Sequence, residues 1–136
     1  MKLIVFEGID KSGKSTLARA FNKATNYKHM TVDRLFMSQI AYSIIYKRAR
    51  CIDSVRQFIE KFQAHEILIV YIKANKDIIE KRLDKINHEF INIERDQIVF
   101  DTVYEYINCD KMIVDTSNKS IEECIIKIKD FIGEVE

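Results

Sequence analysis

Gly8-Ile9-Asp10-Lys11-Ser12-Gly13-Lys14-Ser15 fits the spacing G-x-x-x-x-G-K-[ST], and its flanks decide how it is read. Before it runs Lys2 to Glu7, a short segment rich in Ile, Val and Phe, the pattern of a strand covered on both faces of a parallel sheet. After it, from Lys14, Leu17, Ala18 and Phe21 fall on one face of a helix. Strand, glycine-bearing turn and helix in that order are the context in which the octapeptide carries meaning. Two of the chain's three glycines lie inside this turn, and there is no proline anywhere. Backbone freedom is therefore concentrated here.

The pattern is that of a P-loop. Its glycines let the backbone curl until successive N–H groups and the helix N-terminus face an anion. The expected phosphate-binding residues are Gly8, Ile9, Asp10, Lys11, Ser12, Gly13, Lys14, Ser15 and Thr16. Lys14 is expected to bridge the β- and γ-phosphates of ATP, Ser15 to hold Mg2+ through its hydroxyl, and Thr16 to reach the α-phosphate.

Outward from the loop, strand and helix patterns alternate. Met30, Thr31 and Val32 read as a strand ending at Asp33, followed by a helix over 34–49 whose Phe36, Met37, Ile40, Ala41, Ile44 and Ile45 recur at three and four residues. A further helix is expected over 53–63. Ile67 to Ile72 is an almost continuous aliphatic run and should be a central strand; Asn75 is placed to cap a helix over 77–86. Residues 94–107 have helical spacing, Met112 to Val114 form a short strand ending at Asp115, and Ser120 with Glu123 makes a capping box for the last helix. The fold class expected is α/β: a three-layer α/β/α P-loop NTPase domain over 1–136, with about four parallel strands and ligands at their carboxyl ends.

Composition narrows the partners. The 22 basic and 21 acidic residues leave a net charge of +1, so no surface is built to condense on nucleic acid or an anionic membrane. Cys51, Cys109 and Cys124 are widely spaced without a Cys-x-x-Cys pair, which fits neither a disulfide framework nor a zinc site. Leu3 to Phe6 is too short for a signal-peptide core, and no window reaches membrane-spanning length. A reduced, cytoplasmic protein is the expectation. His29, His65 and His88 have no spacing that suggests a metal site or a nucleophilic triad.

Beyond the bare motif, Phe6-Glu7-Gly8-Ile9-Asp10-Lys11-Ser12-Gly13-Lys14-Ser15-Thr16 resembles the N-terminal signature of thymidylate kinases, within the nucleoside monophosphate kinases. Asp33-Arg34-Leu35-Phe36-Met37-Ser38-Gln39-Ile40-Ala41-Tyr42 is similar to that family's Asp-Arg-Tyr segment, including its later serine and Ala-Tyr pair. Residues 67–83 and 112–132 resemble the family's lid-proximal and last strand–helix units. The resemblance implies an enzyme that uses ATP and Mg2+ to phosphorylate a (deoxy)nucleoside monophosphate, with dTMP the first acceptor to consider. It implies catalytic roles for Lys14, Asp10, Lys11 and Arg34: Lys14 and Lys11 neutralise phosphoryl charge, Asp10 orients the acceptor, and Arg34 holds the acceptor phosphate. Asp33 would reach Mg2+ with Ser15 and help form the acceptor site with Arg34, Ser38 and Tyr42. On residues alone, Asp33 is also suited to cap the helix that follows it, and the two roles are compatible. Arg82 is the lid candidate; Lys81, Lys85 and Arg95 are also basic in that region, where a solvated, salt-bridged face competes.

The sequence departs from the family where the acceptor is held. A strand, a Pro-Gly-Gly loop and two helices normally precede the Asp-Arg segment, and here only Asn22 to Lys28 fill that place. Leu35 stands for the tyrosine and Ser43 for a glutamine, and the lid lacks a dense arginine cluster. The acceptor half is shortened, and so is the surface the family uses for homodimers. A nucleotide-binding regulatory module without turnover, or a kinase for another acceptor such as a deoxynucleoside, is compatible with the same ATP half.

Overall fold

The structure, a computed structural model, describes residues 2–9, 12–47, 52–61, 66–82 and 92–133. In chain order its elements are β1 (Leu3–Glu7), α1 (Lys14–Ala24), β2 (Met30–Asp33), α2 (Phe36–Ile45), α3 (Ile52–Glu60), β3 (Ile67–Lys73), α4 (Lys76–Arg82), α5 (Ile93–Tyr106), β4 (Asp110–Asp115) and α6 (Ile121–Ile132). The strands form one sheet of four, ordered β2-β1-β3-β4, and every pairing is parallel. The expected central strand, β3, lies between β1 and β4.

Period-two alternation along the inner strands produces two cores. Val5, Ile67, Ile69 and Tyr71 point to one face, where Phe36, Met37, Ile40, Ile79, Phe100 and Val103 from α2, α4 and α5 cover them. Ile4, Phe6, Leu68, Val70 and Ile72 point to the other, against Leu17 and Phe21 of α1 and Cys124 and Ile128 of α6. A strand buried on both faces needs apolar residues at every position, which is why β1 and β3 read as unbroken runs. The architecture is the expected three-layer α/β/α P-loop fold.

The shortened segment between α1 and β2 is closed by local geometry. Thr25 Oγ1 donates to the Phe21 carbonyl at 2.9 Å, and Asn26 and Tyr27 take positive φ values of 52° and 58°. The chain thus reverses within one left-handed turn and enters β2 at the sheet edge, where Asn22 Nδ2 donates to Thr31 Oγ1 at 2.7 Å. The helix expected over 34–49 is α2, Phe36–Ile45, and ends in a turn at Tyr46 and Lys47. Ser120 and Glu123 form the capping box of α6, and Asn92 caps α5 by accepting from Arg95 N at 3.0 Å.

Candidate active site

Parallel strands bring their carboxyl ends to one edge of the sheet, so residues far apart in sequence converge beyond Glu7, Asp33, Lys73 and Asp115. Gly8 leaves β1 with φ of 151°; a Cβ there would lie 2.5 Å from the Ile72 carbonyl oxygen and 2.9 Å from Ser12 Oγ. No other residue fits this approach. Gly13, at φ 99°, is the N-cap of α1 and has no side chain to satisfy the first N–H groups of the helix. The first turn, Lys14-Ser15-Thr16-Leu17, carries no acid. The first turn therefore contributes no acid of its own to offset the positive potential of the helix end toward an anion.

Asp33, the last residue of β2, accepts a hydrogen bond from Ser15 Oγ, and its other carboxylate oxygen lies 4.0 Å from Lys14 Nζ. On sequence alone Asp33 was also a candidate cap for α2. The structure gives that task to a different residue. Glu7, fully buried on β1, accepts from the backbone N–H groups of Leu35 (3.0 Å), Met37 and Ser38 (3.1 Å) and from Ser38 Oγ (2.9 Å). These are donors that the first turn of a helix leaves without partners, and a carboxylate is the acceptor they favour. Burial pushes the Glu7 carboxyl above its ordinary value, while the four donated hydrogen bonds pull it down part of the way.

Between Asp33 and the capped helix stands Arg34, held at φ 68° with its N–H donating to the Phe6 carbonyl at 2.8 Å. A left-handed backbone at a side-chain-bearing residue costs on the order of 1 kcal/mol and persists only where its surroundings impose it. Its guanidinium lies over the Tyr42 ring, 5.5 Å from the centroid, one and a half to two turns along α2. Tyr42 is further enclosed by Tyr46, stacked at 5.6 Å, and by the edge of Phe100 at 5.6 Å. Burial raises the Tyr42 phenol, and Arg34 opposes that rise. Ser38 is buried, its hydroxyl engaged with Glu7.

On the opposite side, Thr116 Oγ1 donates to the Ser12 carbonyl at 2.6 Å and its N–H to the Lys73 carbonyl at 2.8 Å, tying the loop to the ends of β3 and β4. Arg82, the lid candidate, ends α4 with Nη1 3.6 Å from where a Gly13 Cβ would stand, against the loop. Arg95 pairs with the buried Asp96 at 3.0 Å, and Lys81 is exposed. Asp10, Lys11 and Lys85 lie outside the described residues.

The residues present fit a magnesium–nucleotide. Ser15 and Asp33 offer two hard oxygen donors at one point, the N-terminus of α1 has no capping side chain, and Ser12 Oγ is buried with no hydrogen-bond partner among the described residues. Sequence reading missed Glu7 and Thr116. Glu7 signalled itself only as an acid at the end of a strand whose other residues are apolar; Thr116 follows a strand end, where ligands gather, without any motif.

No family profile matches the chain, and no curated protein matches it. Solved structures do. YorR of Bacillus subtilis, solved in complex with phosphorylated GDP, superposes with a TM-score of 0.82 at 21% identity, over 97% of this chain and 96% of that one. This chain has a thymidylate kinase-like P-loop kinase fold. Thymidylate kinase from Candida albicans superposes with a TM-score of 0.61 at 14% identity, over 97% of this chain and 91% of that one. This chain and YorR cover one another almost completely. Among the described residues no helix is long and apolar enough to cross a membrane, and no group of three or more His, Cys, Asp or Glu side chains is placed to hold a metal ion.

Proposed function

We propose that the chain is a nucleotide kinase that transfers the γ-phosphoryl group of ATP to a (deoxy)nucleoside monophosphate, giving the diphosphate and ADP. The observation that carries this reading is Asp33: it meets Ser15 and Lys14 of the phosphate loop and is followed directly by Arg34. One short strand end thereby joins a donor-phosphate site to a cation suited to a second phosphate. An isolated phosphate-binding loop would need no such neighbour. The nucleotide bound by YorR supports nucleotide recognition in a fold of this kind.

In this reading an oxygen of the acceptor phosphate forms a bond to the γ-phosphorus as the bond from that phosphorus to the β–γ bridging oxygen breaks, and ADP leaves with the electron pair. There is little covalent chemistry for side chains to perform, so catalysis is positioning and charge neutralisation. The α1 N-terminus and Lys14 hold the donor phosphates, with Ile9, Ser12 and Thr16 completing the loop. Ser15 and Asp33 would hold Mg2+, which when bound would supply positive charge to neutralise the phosphates. Arg34 holds the acceptor phosphate, and Tyr42 keeps its guanidinium extended. Ser38 contributes through Glu7. Asp10 and Lys11 orient the acceptor and neutralise the transferring group, and Arg82 closes over the donor site. The proposed setting is cytoplasmic, as a single domain without a membrane or nucleic-acid partner.

The acceptor base is the least constrained part, because the family's Pro-Gly-Gly loop has no counterpart here. The test is ADP production from ATP and Mg2+ with each ribo- and deoxynucleoside monophosphate, dTMP and the guanine nucleotides foremost, and with the deoxynucleosides, using Lys14→Ala as control. Turnover that requires a monophosphate and is lost in Lys14→Ala supports the proposal. Nucleotide binding without turnover across the panel replaces it with a non-catalytic nucleotide-binding module, and turnover with a deoxynucleoside alone replaces it with a nucleoside kinase.

A further inference from the structure

The acid at the end of β1 lies between the two halves of the site, although no step of the reaction requires it to touch substrate. Glu7 directly precedes Gly8, the first residue of the phosphate loop, while its side chain reaches across to α2. There it faces donors only: three backbone N–H groups and one hydroxyl. The α2 N-cap position is Leu35, whose φ of −154° and ψ of −86° are not those of a capping residue and whose side chain has no acceptor. The helix therefore has no local cap, and its start is set by a carboxylate 28 to 31 residues earlier in the chain.

Arg34 is pinned at both ends of this connection. Its own N–H is bound to the Phe6 carbonyl, adjacent to Glu7, and the next residue's N–H is bound to the Glu7 carboxylate. The left-handed φ of 68° between these two anchors fixes where the side chain leaves the backbone, and its guanidinium lies over Tyr42.

We propose that Glu7 is a positioning residue that sets the distance between the donor-phosphate loop and the acceptor-phosphate arginine, by capping α2 from β1 and thereby holding Arg34 in its left-handed conformation. This rests on the reading of Arg34 as the acceptor-phosphate ligand. Glu7 acts only through Arg34, so its loss falls on the acceptor and not on ATP.

Glu7→Gln preserves shape but turns one end of the group into a donor facing donors. In steady-state kinetics with the monophosphate that the parent chain uses, Glu7→Gln lowers kcat/KM for the acceptor by about 30- to 100-fold, the scale of a misplaced binding group, and leaves KM for ATP within about twofold. Calorimetric titration of the same monophosphate shows the same preference without turnover. Combining Glu7→Gln with Arg34→Ala adds less than about threefold to the loss from Arg34→Ala alone, because both changes remove one interaction. Ser38→Ala, which deletes a single one of the four hydrogen bonds, gives a loss of about three- to fivefold in the same direction and serves if Glu7→Gln does not fold. Equal losses toward ATP and acceptor, or additive losses with Arg34→Ala, overturn the positioning role while leaving the kinase reading intact. A parent chain that neither binds nor phosphorylates any monophosphate overturns the kinase reading, and this role with it.

Discussion

Thr116 Oγ1 donates a hydrogen bond of 2.6 Å to the carbonyl oxygen of Ser12, joining residues 104 positions apart. The hydroxyl also lies 3.3 Å from the Lys73 carbonyl, but its single proton serves the shorter contact. The last strand of the sheet thus braces the crest of the phosphate loop from outside, and the loop's curvature does not depend on its glycines alone. Thr116→Val keeps the shape and removes the donor. The net loss of about 1 kcal/mol corresponds to a five- to tenfold weaker affinity for ATP. Isothermal titration with ATP checks this, and an unchanged affinity would show that the brace is dispensable.

Asp33 gives a separate readout. Asp33→Asn keeps an acceptor for Ser15 but removes the charge beside Lys14 and at the proposed Mg2+ site. The Mg2+ concentration for half-maximal turnover should rise by about tenfold or more, since a neutral amide is a far weaker ligand for a hard cation. Affinity for metal-free ATP should stay level or improve, because a negative charge near the phosphates is gone. An unaltered Mg2+ requirement would remove Asp33 from the metal site.

Two glycines with positive φ should respond very differently to alanine. At Gly8 a Cβ would stand 2.5 Å from a backbone carbonyl, which cannot yield without separating β1 from β3, so Gly8→Ala should destabilise the fold by about 3 kcal/mol or more. At Gly133, the C-cap of α6 with φ of 76°, nothing lies within 4 Å, and only the left-handed conformation is penalised, by about 1 kcal/mol. Urea unfolding of both variants tests the contrast.

Burial pushes the Cys109 thiol up to about 11 from 9.0, with Asp110 adding to the rise. A thiol whose folded value is raised is neutral in both states below about pH 9, so its contribution to stability is whole there and is lost as pH climbs from about 9 to about 11. At pH 8 the thiolate fraction is about a hundredfold smaller than in the unfolded chain, so alkylation of Cys109 should be slower by about two orders of magnitude. Peptide mapping after iodoacetamide treatment, with and without urea, measures this.

The fold was legible to the extent that it was written in short stretches. The all-apolar runs of β1 and β3, the helical spacing of Leu17, Ala18 and Phe21, and the Ser120–Glu123 box each express a local preference of the backbone, and each formed where expected. The phosphate loop was legible for the same reason: its job is done by consecutive N–H groups, so its constraints fall on consecutive residues. Asp33 was ambiguous in sequence, since an acid before a helix is a good cap and a good metal ligand alike. The sheet register sets Asp33 beside Phe6, where its carboxylate meets Ser15, and the first turn of α2 is capped by Glu7 instead.

Sequence by itself determined the layered α/β architecture, the phosphate loop and the places where strands must end. Tertiary structure alone decided which side chains meet around that loop and α2: Glu7 capping α2 in place of Asp33, Thr116 holding Ser12, Arg82 against Gly13, and Arg34 over Tyr42 in a left-handed backbone. Except for the last, these pairs are separated by whole strand–helix units, and no periodicity records them. Their partners meet because parallel strands must all deliver their carboxyl ends to the same edge of the sheet.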